Sequence, residues 1–572
     1  LIAGYSVLLK AIRNLLHGKV FDENFLMSIA TVGAFAIGET GEAAAVMLLY
    51  LVGEFFQDRA VQKSRSAVMN VLDLRVDETR CLQEGKPVLV ASETVAVGSI
   101  IRVLAGEKIP LDGTILRGSS SLDMQSLTGE SLPQNVESGD TVFSGSMNLS
   151  GSLDIVTTKK YEESTASRIL SLVEESSSKK AHTEQFITTF ARYYTPVVVF
   201  FALALAIIPS LVTGTWETWI YRSLVFLVVS CPCALVISVP LSYFAGIGKS
   251  ASNGILVKGG NYLEALASTD TMIFDKTGTL THGSFSLEKT EITRNTQYSK
   301  TYLQNLAASL EQQSNHPLAR AFAQWEAPYE ASNVQEIAGK GITAIVDGKP
   351  VVAGNSALFA SLSIPLTEHN KEAGTIHLAV ENVHAASFIL TDTIRPDAKE
   401  LVHALRTQGV ENVFMLSGDK KQHAATIASQ LGLDGFHAEL LPDQKQAQLI
   451  EIEQAHPHLA YIGDGMNDAP SLAASRVGIA MGTKASDAAI ESADIVIRSE
   501  ELATLEKLMV ISKKTARIVR ENIAFALGIK AIVLILGALG YASMALAVFA
   551  DTGVTIIAVG NALRILLLRL SR

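Results

Sequence analysis

Cys231, Pro232 and Cys233 stand together inside an apolar run from Leu224 to Pro240. A proline removes a backbone N–H and loosens the preceding turn, so two thiols here flank freed carbonyls. At bilayer depth such groups are tolerated only inside protein or lining a cavity, and together they have the chemistry of a soft-metal site. A second constellation follows the apolar run Thr271–Phe274: Asp275, Lys276, Thr277, Gly278 and Thr279. An aspartate at a strand's carboxyl end can attack a phosphoryl group, with Lys276 and the N–H groups of the glycine turn stabilising the transferred charge. Taken alone, those five residues read equally well as a polar surface turn. Three further segments shift the balance: Gly463-Asp464-Gly465-Met466-Asn467-Asp468, Ser417-Gly418-Asp419 and Leu441-Pro442-Asp443-Gln444-Lys445. Carboxylates and a lysine converging on one sheet edge make a Mg²⁺ and phosphate site, which suits Asp275, Asp464 and Asp468.

Those residues need a membrane part and a soluble part to hold them. Six apolar segments read as spans, against the roughly 20 residues needed to cross: Phe25–Gly38, Glu42–Phe56, Phe186–Leu211, Trp219–Ile247, Ile518–Tyr541 and Ala545–Leu568. The first two are short. Arg59, Lys63, Arg65, Lys179, Lys180, Lys249, Lys258, Lys513, Lys514, Arg517 and Arg520 fall on one side, and Glu39, Glu42 and Glu217 mark the other, where Arg222 is the exception among few cations. The positive-inside rule then makes both large loops cytoplasmic. The smaller loop alternates short apolar strands (Val88–Val90, Ile100–Val103, Gly113–Leu116) with glycine turns and reads as β-rich. The larger loop carries buried-strand patterns at Thr271–Phe274, Val413–Leu416, Leu459–Ile462 and Val477–Ala480, as a parallel sheet with ligands at its strand C-termini. An insert runs from Leu280 to about Asp392.

The 572 residues call for several domains, and 48% hydrophobic with 18% charged residues suits lipid-embedded helices joined to soluble domains. A net charge of −10 and 6% aromatics give no support for nucleic-acid binding. Cys81 is alone, and Cys231 and Cys233 are too close across one proline for a relaxed disulfide, so the soluble parts suit a reducing compartment. The chain opens at Leu1 in what reads as the tail of a helix with Lys10, Arg13 and His17, an interfacial amphipathic segment. Material upstream is expected.

Three pieces, Asp275–Gly283 (DKTGTLTHG), Gly463–Pro470 (GDGMNDAP) and Ser126–Ser131 (SLTGES), resemble the P-type ATPases, in one order and across nearly the whole chain. The resemblance implies an α-helical transmembrane bundle, a β-rich actuator domain, a haloacid-dehalogenase-like α/β phosphorylation domain and an α+β nucleotide-binding insert. The corresponding boundaries are 1–65 for the amphipathic remnant and first two spans, 66–183 for the actuator and 184–250 for the spans with Cys-Pro-Cys. The phosphorylation domain takes 251–280 and 392–512, the nucleotide-binding domain 281–391, and the last two spans 513–572. Resemblance makes Asp275 the acceptor of the ATP γ-phosphoryl, and Thr128, Gly129 and Glu130 the actuator loop, with Glu130 positioning the hydrolytic water. Lys276, Thr277, Thr279, Lys445, Asp464, Asn467 and Asp468 complete the catalytic set, with Mg²⁺ on Asp275, Thr277 and Asp464. Ser417, Gly418 and Asp419 are assigned to nucleotide binding. Ser314-Asn315-His316-Pro317, Gly339, Gly341 and Glu311 match the heavy-metal branch, at the adenine end of ATP.

Cys-Pro-Cys places the chain among transition-metal pumps without choosing between Cu⁺ and divalent ions, since thiolates bind both. Lys530 and Asp551 lie inside the last two spans, where charge is costly. Separately they read as a snorkelling lysine and a helix N-cap. Together, facing Cys-Pro-Cys, they read as an ion site of Cys231, Cys233 and Asp551 with Lys530 as counter-charge. The pattern looks like the Zn²⁺/Cd²⁺/Pb²⁺-exporting ATPases, with a Cu⁺ pump as the alternative. Glu54 is either a transient ligand on the release path, which the resemblance favours, or a residue at the cytoplasmic end of its span. The implied protein is a multi-pass pump of a bacterial inner or plasma membrane that uses ATP and Mg²⁺ and works as a monomer, with room for a cytoplasmic metal donor.

Overall fold

The computed structural model describes residues 4–16, 23–72, 76, 78–83, 86–124, 133–167, 180–230, 233–293, 296–314, 317–337, 340–366, 375–464, 468–482 and 491–570. Two compact units emerge: Leu1–Asp270 with Arg476–Thr483 and Ala493–Arg572, and Thr271–Ser475 with Lys484–Ser492.

The first unit opens with helices α1 (Tyr5–Leu16), α2 (Glu23–Ala36) and α3 (Thr40–Leu72). Its β-rich part has strands β1 (Glu78–Gln83), β2 (Lys86–Ala91), β3 (Ile100–Val103), β4 (Gly113–Arg117), β5 (Ser120–Asp123), β6 (Gln134–Val136), β7 (Thr141–Val142), β8 (Met147–Asn148) and β9 (Leu153–Thr157). They form one sheet in the order β2-β1-β3-β9-β4-β7 and a smaller one in the order β6-β5-β8. Alternation puts Ile101, Val103, Ile115, Leu153 and Ile155 in one core. Buried Asp112 ties the ends of this domain together, accepting from Ser144 N, Thr165 N and Oγ1, and Lys159 Nζ. Burial opposes its charge, but these donors hold its carboxyl below the usual range.

Helices α4 (His182–Thr213), α5 (Trp216–Val229) and α6 (Cys233–Ala251) follow, then strand β10 (Ile255–Val257). The unit closes on α7 (Ala503–Leu539) and α8 (Met544–Leu563). Four stretches among the described residues are long and apolar enough to cross a membrane: Tyr194–Thr213, Trp216–Ala251, Ala503–Leu539 and Met544–Leu563. α2 has 14 residues, fewer than a straight crossing takes, and α3 has 33, running beyond Phe56 into charged sequence. Among the described residues α5 ends at Val229 and α6 begins at Cys233.

In the second unit, β11 (Thr271–Asp275) is buried at all five residues. The insert starts with β12 (Thr281–Ile292) and continues through β13 (Ala331–Ile337), β14 (Gly341–Val346), β15 (Lys349–Gly354), β16 (Thr375–Val380) and β17 (Val383–Ile394). These form an antiparallel sheet in the order β12-β17-β16-β15-β14-β13, packed on Lys300–Glu311 through Leu303, Leu306, Leu310 and Phe388. Strands β18 (Asn412–Leu416), β19 (Gly435–His437) and β20 (Leu459–Gly463) return to the parallel sheet. β11 pairs in parallel with β18 on one side and β20 on the other. Polar residues after all three strands therefore gather at one sheet edge, as expected for open α/β sheets.

Candidate functional site

Asp275 ends β11 and Asp464 directly follows β20, its neighbour. Lys445, near the start of the helix Pro442–Ala455, reaches over the same edge. Its Nζ lies 2.5 Å from Asp275 Oδ1 and 3.1 Å from Asp468 Oδ1. Burial pushes the Asp275 carboxyl up to about 7, Asp468 adds to the rise, and Lys445 opposes it. Burial also works against the charge on Lys445, but the two carboxylates outweigh it and raise its pKa. Thr277 N donates to Asp275 Oδ2 at 3.2 Å.

Gly278 explains the tightness of this turn. Its φ is +74°, and a Cβ there would stand 2.7 Å from Asp464 Oδ2, so only glycine lets the turn lie against that carboxylate. Lys276 is placed differently from the sequence expectation. Its ammonium is on Asp419 Oδ2 at 2.6 Å and Asp392 Oδ2 at 3.6 Å, and the cation on Asp275 is Lys445. Successive residues leaving a strand diverge, so neighbours in sequence serve different partners. Thr279 is fully buried, with no hydrogen-bond partner for its hydroxyl among the described residues. Ser417 and Gly418 follow β18, and Ser417 Oγ accepts from Asp419 N.

Two residues outside the sequence-derived set brace the turn. Arg395 donates to Gly278 O and Thr281 O, both at 3.2 Å, and Asp392 accepts from Thr281 Oγ1 at 2.5 Å. Both lie at the end of β17, more than 110 residues from the turn they brace. Their spacing from Asp275 carries no local signal. Thr128, Gly129, Glu130, His316, Gly339 and Asn467 lie outside the described residues. Glu311 is buried, and burial together with the Glu336 carboxylate pushes it up to about 7. Gly341 faces Gly354 across the β14–β15 ladder, and a Cβ on it would meet Ala353 O at 2.2 Å. Its missing side chain serves strand packing, a reason the sequence does not disclose.

In the first unit, Lys530 and Asp551 meet. Lys530 Nζ is 2.9 Å from Asp551 Oδ1 and 3.2 Å from Val229 O, the carbonyl at the end of α5. A helix C-terminus leaves such carbonyls without partners, and an ammonium both satisfies them and favours their negative end. Lys530 is 8% exposed, which excludes a snorkelling lysine. Asp551 is mid-helix, because α8 begins at Met544 with Ser543 as its N-cap. The capping interpretation fails on that ground. Cys233 is buried at the start of α6 and disulfide-bonded, contrary to the sequence expectation, so a thiolate ligand needs its reduced form. Cys231 lies outside the described residues. Among the described residues no three His, Cys, Asp or Glu side chains gather to hold a metal. Glu54 pairs with Lys10 at 2.9 Å.

Comparison with known proteins decides the family. Residues 73–174 match the P-type ATPase actuator domain and residues 269–476 the haloacid dehalogenase-like hydrolases. The chain is 46% identical to the zinc-transporting ATPase of Synechocystis sp., covering 99% of this chain and 79% of the relative. It belongs to the heavy-metal-transporting P-type ATPases. The cadmium, zinc and cobalt-transporting ATPase of Bacillus subtilis is 45% identical to this P-type ATPase, over 100% of the chain and 82% of the relative. The crystal structure of a zinc-transporting PIB-type ATPase in the E2.Pi state is similar at 36% identity and a TM-score of 0.64, covering 99% of this chain and 94% of that one. This P-type ATPase is therefore a multi-pass membrane protein with cytoplasmic catalytic domains.

Proposed function

We propose that the chain exports Zn²⁺, and also Cd²⁺ and Pb²⁺, from the cytoplasm, driven by ATP through an aspartyl phosphate on Asp275. The observation that carries the choice of cargo is the buried Lys530–Asp551 pair beside the end of α5. A carboxylate joined to two thiolates suits a borderline divalent ion. Once the metal leaves, Lys530 supplies the charge that keeps Asp551 from standing alone in low dielectric. Cys231, Cys233 in its reduced form and Asp551 are the proposed ligands, and Glu54, released from Lys10, a ligand on the way out. The Cu⁺ alternative lacks support: the relatives compared are named for zinc, cadmium and cobalt, and sulfur-only ligation has no use for the Asp551–Lys530 pair.

Asp275 Oδ attacks the γ-phosphorus, the bond to the β-γ bridging oxygen breaks, and ADP leaves. Lys445 is placed to offset charge on that carboxylate. Water positioned by Glu130 then attacks the phosphorus, the bond to Asp275 Oδ breaks, and phosphate leaves carrying the water's protons while the Asp275 carboxylate is restored. Mg²⁺ fits this edge: it needs only one or two carboxylates, Asp464 lies against the turn, and Asp468 Oδ2 is buried without a hydrogen-bond partner among the described residues. Asp275, Thr277 and Asp464 would hold it, and when bound it neutralises phosphoryl oxygens. Thr279 lines the same turn, and Lys276, Asn467 and Asp468 support it. Glu311, His316, Gly339 and Gly341 would serve the adenine end of ATP, and Ser417, Gly418 and Asp419 the sheet edge. A monomer suffices for this cycle, and a cytoplasmic donor would deliver the metal.

The test is ATP hydrolysis by purified protein under reducing conditions across Zn²⁺, Cd²⁺, Pb²⁺ and Cu⁺, repeated with Asp551→Ala. Full Zn²⁺ stimulation in that variant, or stimulation of the parent by Cu⁺ alone, overturns the proposal.

A further inference from the structure

Asp551 has a neighbour whose packing the proposed ligand set does not explain. Thr552 follows it on α8, and about 100° of helical rotation separates the two, so Asp551 faces Lys530 of α7 while Thr552 faces elsewhere. Thr552 meets Gly53 of α3. A Cβ on Gly53 would stand 2.6 Å from Thr552 Oγ1 and 3.0 Å from Cγ2, inside any normal contact distance. The two helices touch through backbone on one side and a β-branched side chain on the other. Membrane helices approach this closely only where a small residue permits it.

α8 is thus held at one turn between two partners: α3 through Gly53–Thr552, and α7 through Lys530–Asp551. The first contact is steric and fixes a distance, whereas the second is ionic and can be exchanged for a metal. We propose that the Gly53–Thr552 crossing sets the reach of Asp551 and so determines the size of divalent ion the site accepts. Gly53 is then a positioning residue acting through Thr552. This rests on the reading of Asp551 as a metal ligand.

Thr and Gly are connected to selectivity by bond length. Zn²⁺ binds carboxylate oxygen at roughly 2.0–2.2 Å in near-tetrahedral sites. A helix displaced by tenths of an ångström leaves Asp551 off the reach such short bonds need. The larger Cd²⁺, with longer bonds and softer angular demands, loses less. A side chain at position 53 therefore penalises Zn²⁺ more than Cd²⁺.

A built-in control exists. Gly246 of α6 packs on Thr515 of α7 just as tightly, its Cβ position 2.7 Å from Thr515 Oγ1. Thr515 precedes Lys530 by 15 residues, about 22 Å along the helix at 1.5 Å per residue. Crowding that crossing strains the bundle without touching the reach of Asp551.

The experiment measures metal-stimulated ATPase kcat/KM for Zn²⁺ and Cd²⁺ in the full chain under reducing conditions, with metal-free phosphorylation by inorganic phosphate to report folding. Gly53→Ala should raise the Cd²⁺-over-Zn²⁺ ratio several-fold, and Gly53→Ala with Thr552→Ala should return it toward the parent value by removing both crowded atoms. Thr552→Val, which keeps the shape and drops the hydroxyl, should keep the parent ratio. Gly246→Ala should leave the ratio alone whatever it does to rate. An unchanged ratio in Gly53→Ala, an equal shift in Gly246→Ala, or a ratio that follows the hydroxyl in Thr552→Val overturns the inference. Should Gly53→Ala not fold, its rescue by Thr552→Ala supports the crossing and a lack of rescue overturns it. Asp551→Ala separates the two levels: if it keeps Zn²⁺ stimulation the ligand reading fails, and if it loses stimulation while Gly53→Ala is indifferent, only this inference fails.

Discussion

Lys530 Nζ bridges Asp551 Oδ1 at 2.9 Å and the Val229 carbonyl at 3.2 Å, joining three spans through one buried ammonium. Removing one partner of a buried ion pair typically costs about 3–5 kcal/mol, because the other charge stays behind unpaired. Lys530→Met should therefore lower the thermal midpoint of the metal-free protein clearly. Lys530→Met with Asp551→Leu should recover much of that loss. Equal midpoints for Lys530→Met and the parent would mean that the pair contributes nothing.

Gly278→Ala tests the turn at the sheet edge. The added Cβ meets Asp464 Oδ2 and must also adopt a positive φ. Phosphoenzyme formed from labelled ATP should fall at least tenfold, on the order of 1.4 kcal/mol or more in the barrier. The insert, whose sheet is separate, should keep its ATP affinity. Near-parent phosphorylation would show that the close approach is dispensable.

Asp275 makes stability depend on pH in the absence of metal. Its pKa is about 7 in the folded protein and near the ordinary carboxylate value when unfolded. Between those values the folded state holds the extra proton, so stability falls as pH rises. In chelator, unfolding of the parent should become easier from about pH 5 to about pH 7.5 by on the order of a few kcal/mol at most. Asp275→Asn should lack that component. Parallel pH profiles for the two proteins would remove Asp275 as its source.

Glu311 carries a second proton near neutrality, its pKa of about 7 set by burial and by Glu336. Protonated, it can donate to a ring nitrogen of adenine, whereas the carboxylate only accepts, so nucleotide should bind a few-fold tighter at about pH 6 than at about pH 8. Glu311→Gln should flatten the profile, and Glu336→Gln should move it to lower pH. Calorimetric titration of ATP at several pH values checks both directions.

The insert also holds a buried histidine pair. His377 Nδ1 and His384 Nε2 both reach Ser387 Oγ, at 2.9 and 3.0 Å, and burial with His384 nearby lowers His377 to about 4. A pKa depressed below the unfolded value means stability that is whole above about 6.5 and lost as pH falls toward 4. His377→Gln should shrink the loss of stability between about pH 7 and about pH 5. An unchanged loss would place the acid sensitivity elsewhere.

Much of this architecture was legible because it rests on local pattern. Thr271–Phe274 and Leu459–Ile462 are continuous apolar runs, and a strand buried on both faces has no other way to look. The length of α7 was harder to read: its apolar half resembles a span, yet the helix starts at Ala503 in charged sequence and runs 37 residues. Nothing in helix propensity marks the membrane boundary, so hydropathy registers only the second half. Arg395 and Asp392 stayed invisible for a different reason. Their partners are backbone and hydroxyl groups that any sequence offers everywhere.

By itself the sequence determined which reactive groups exist, their order, and the spans and strands that carry them, since periodicity and apolar length follow from residue type. It put Cys-Pro-Cys in a membrane helix and an aspartate at a strand's end. Only the tertiary structure decided the pairings: Lys445 rather than Lys276 on Asp275, 170 residues away, Lys530 on both Asp551 and Val229, and Gly53 against Thr552. Such contacts depend on the faces at which helices and strands cross. That geometry comes from packing the whole chain, and short-range pattern carries no record of it.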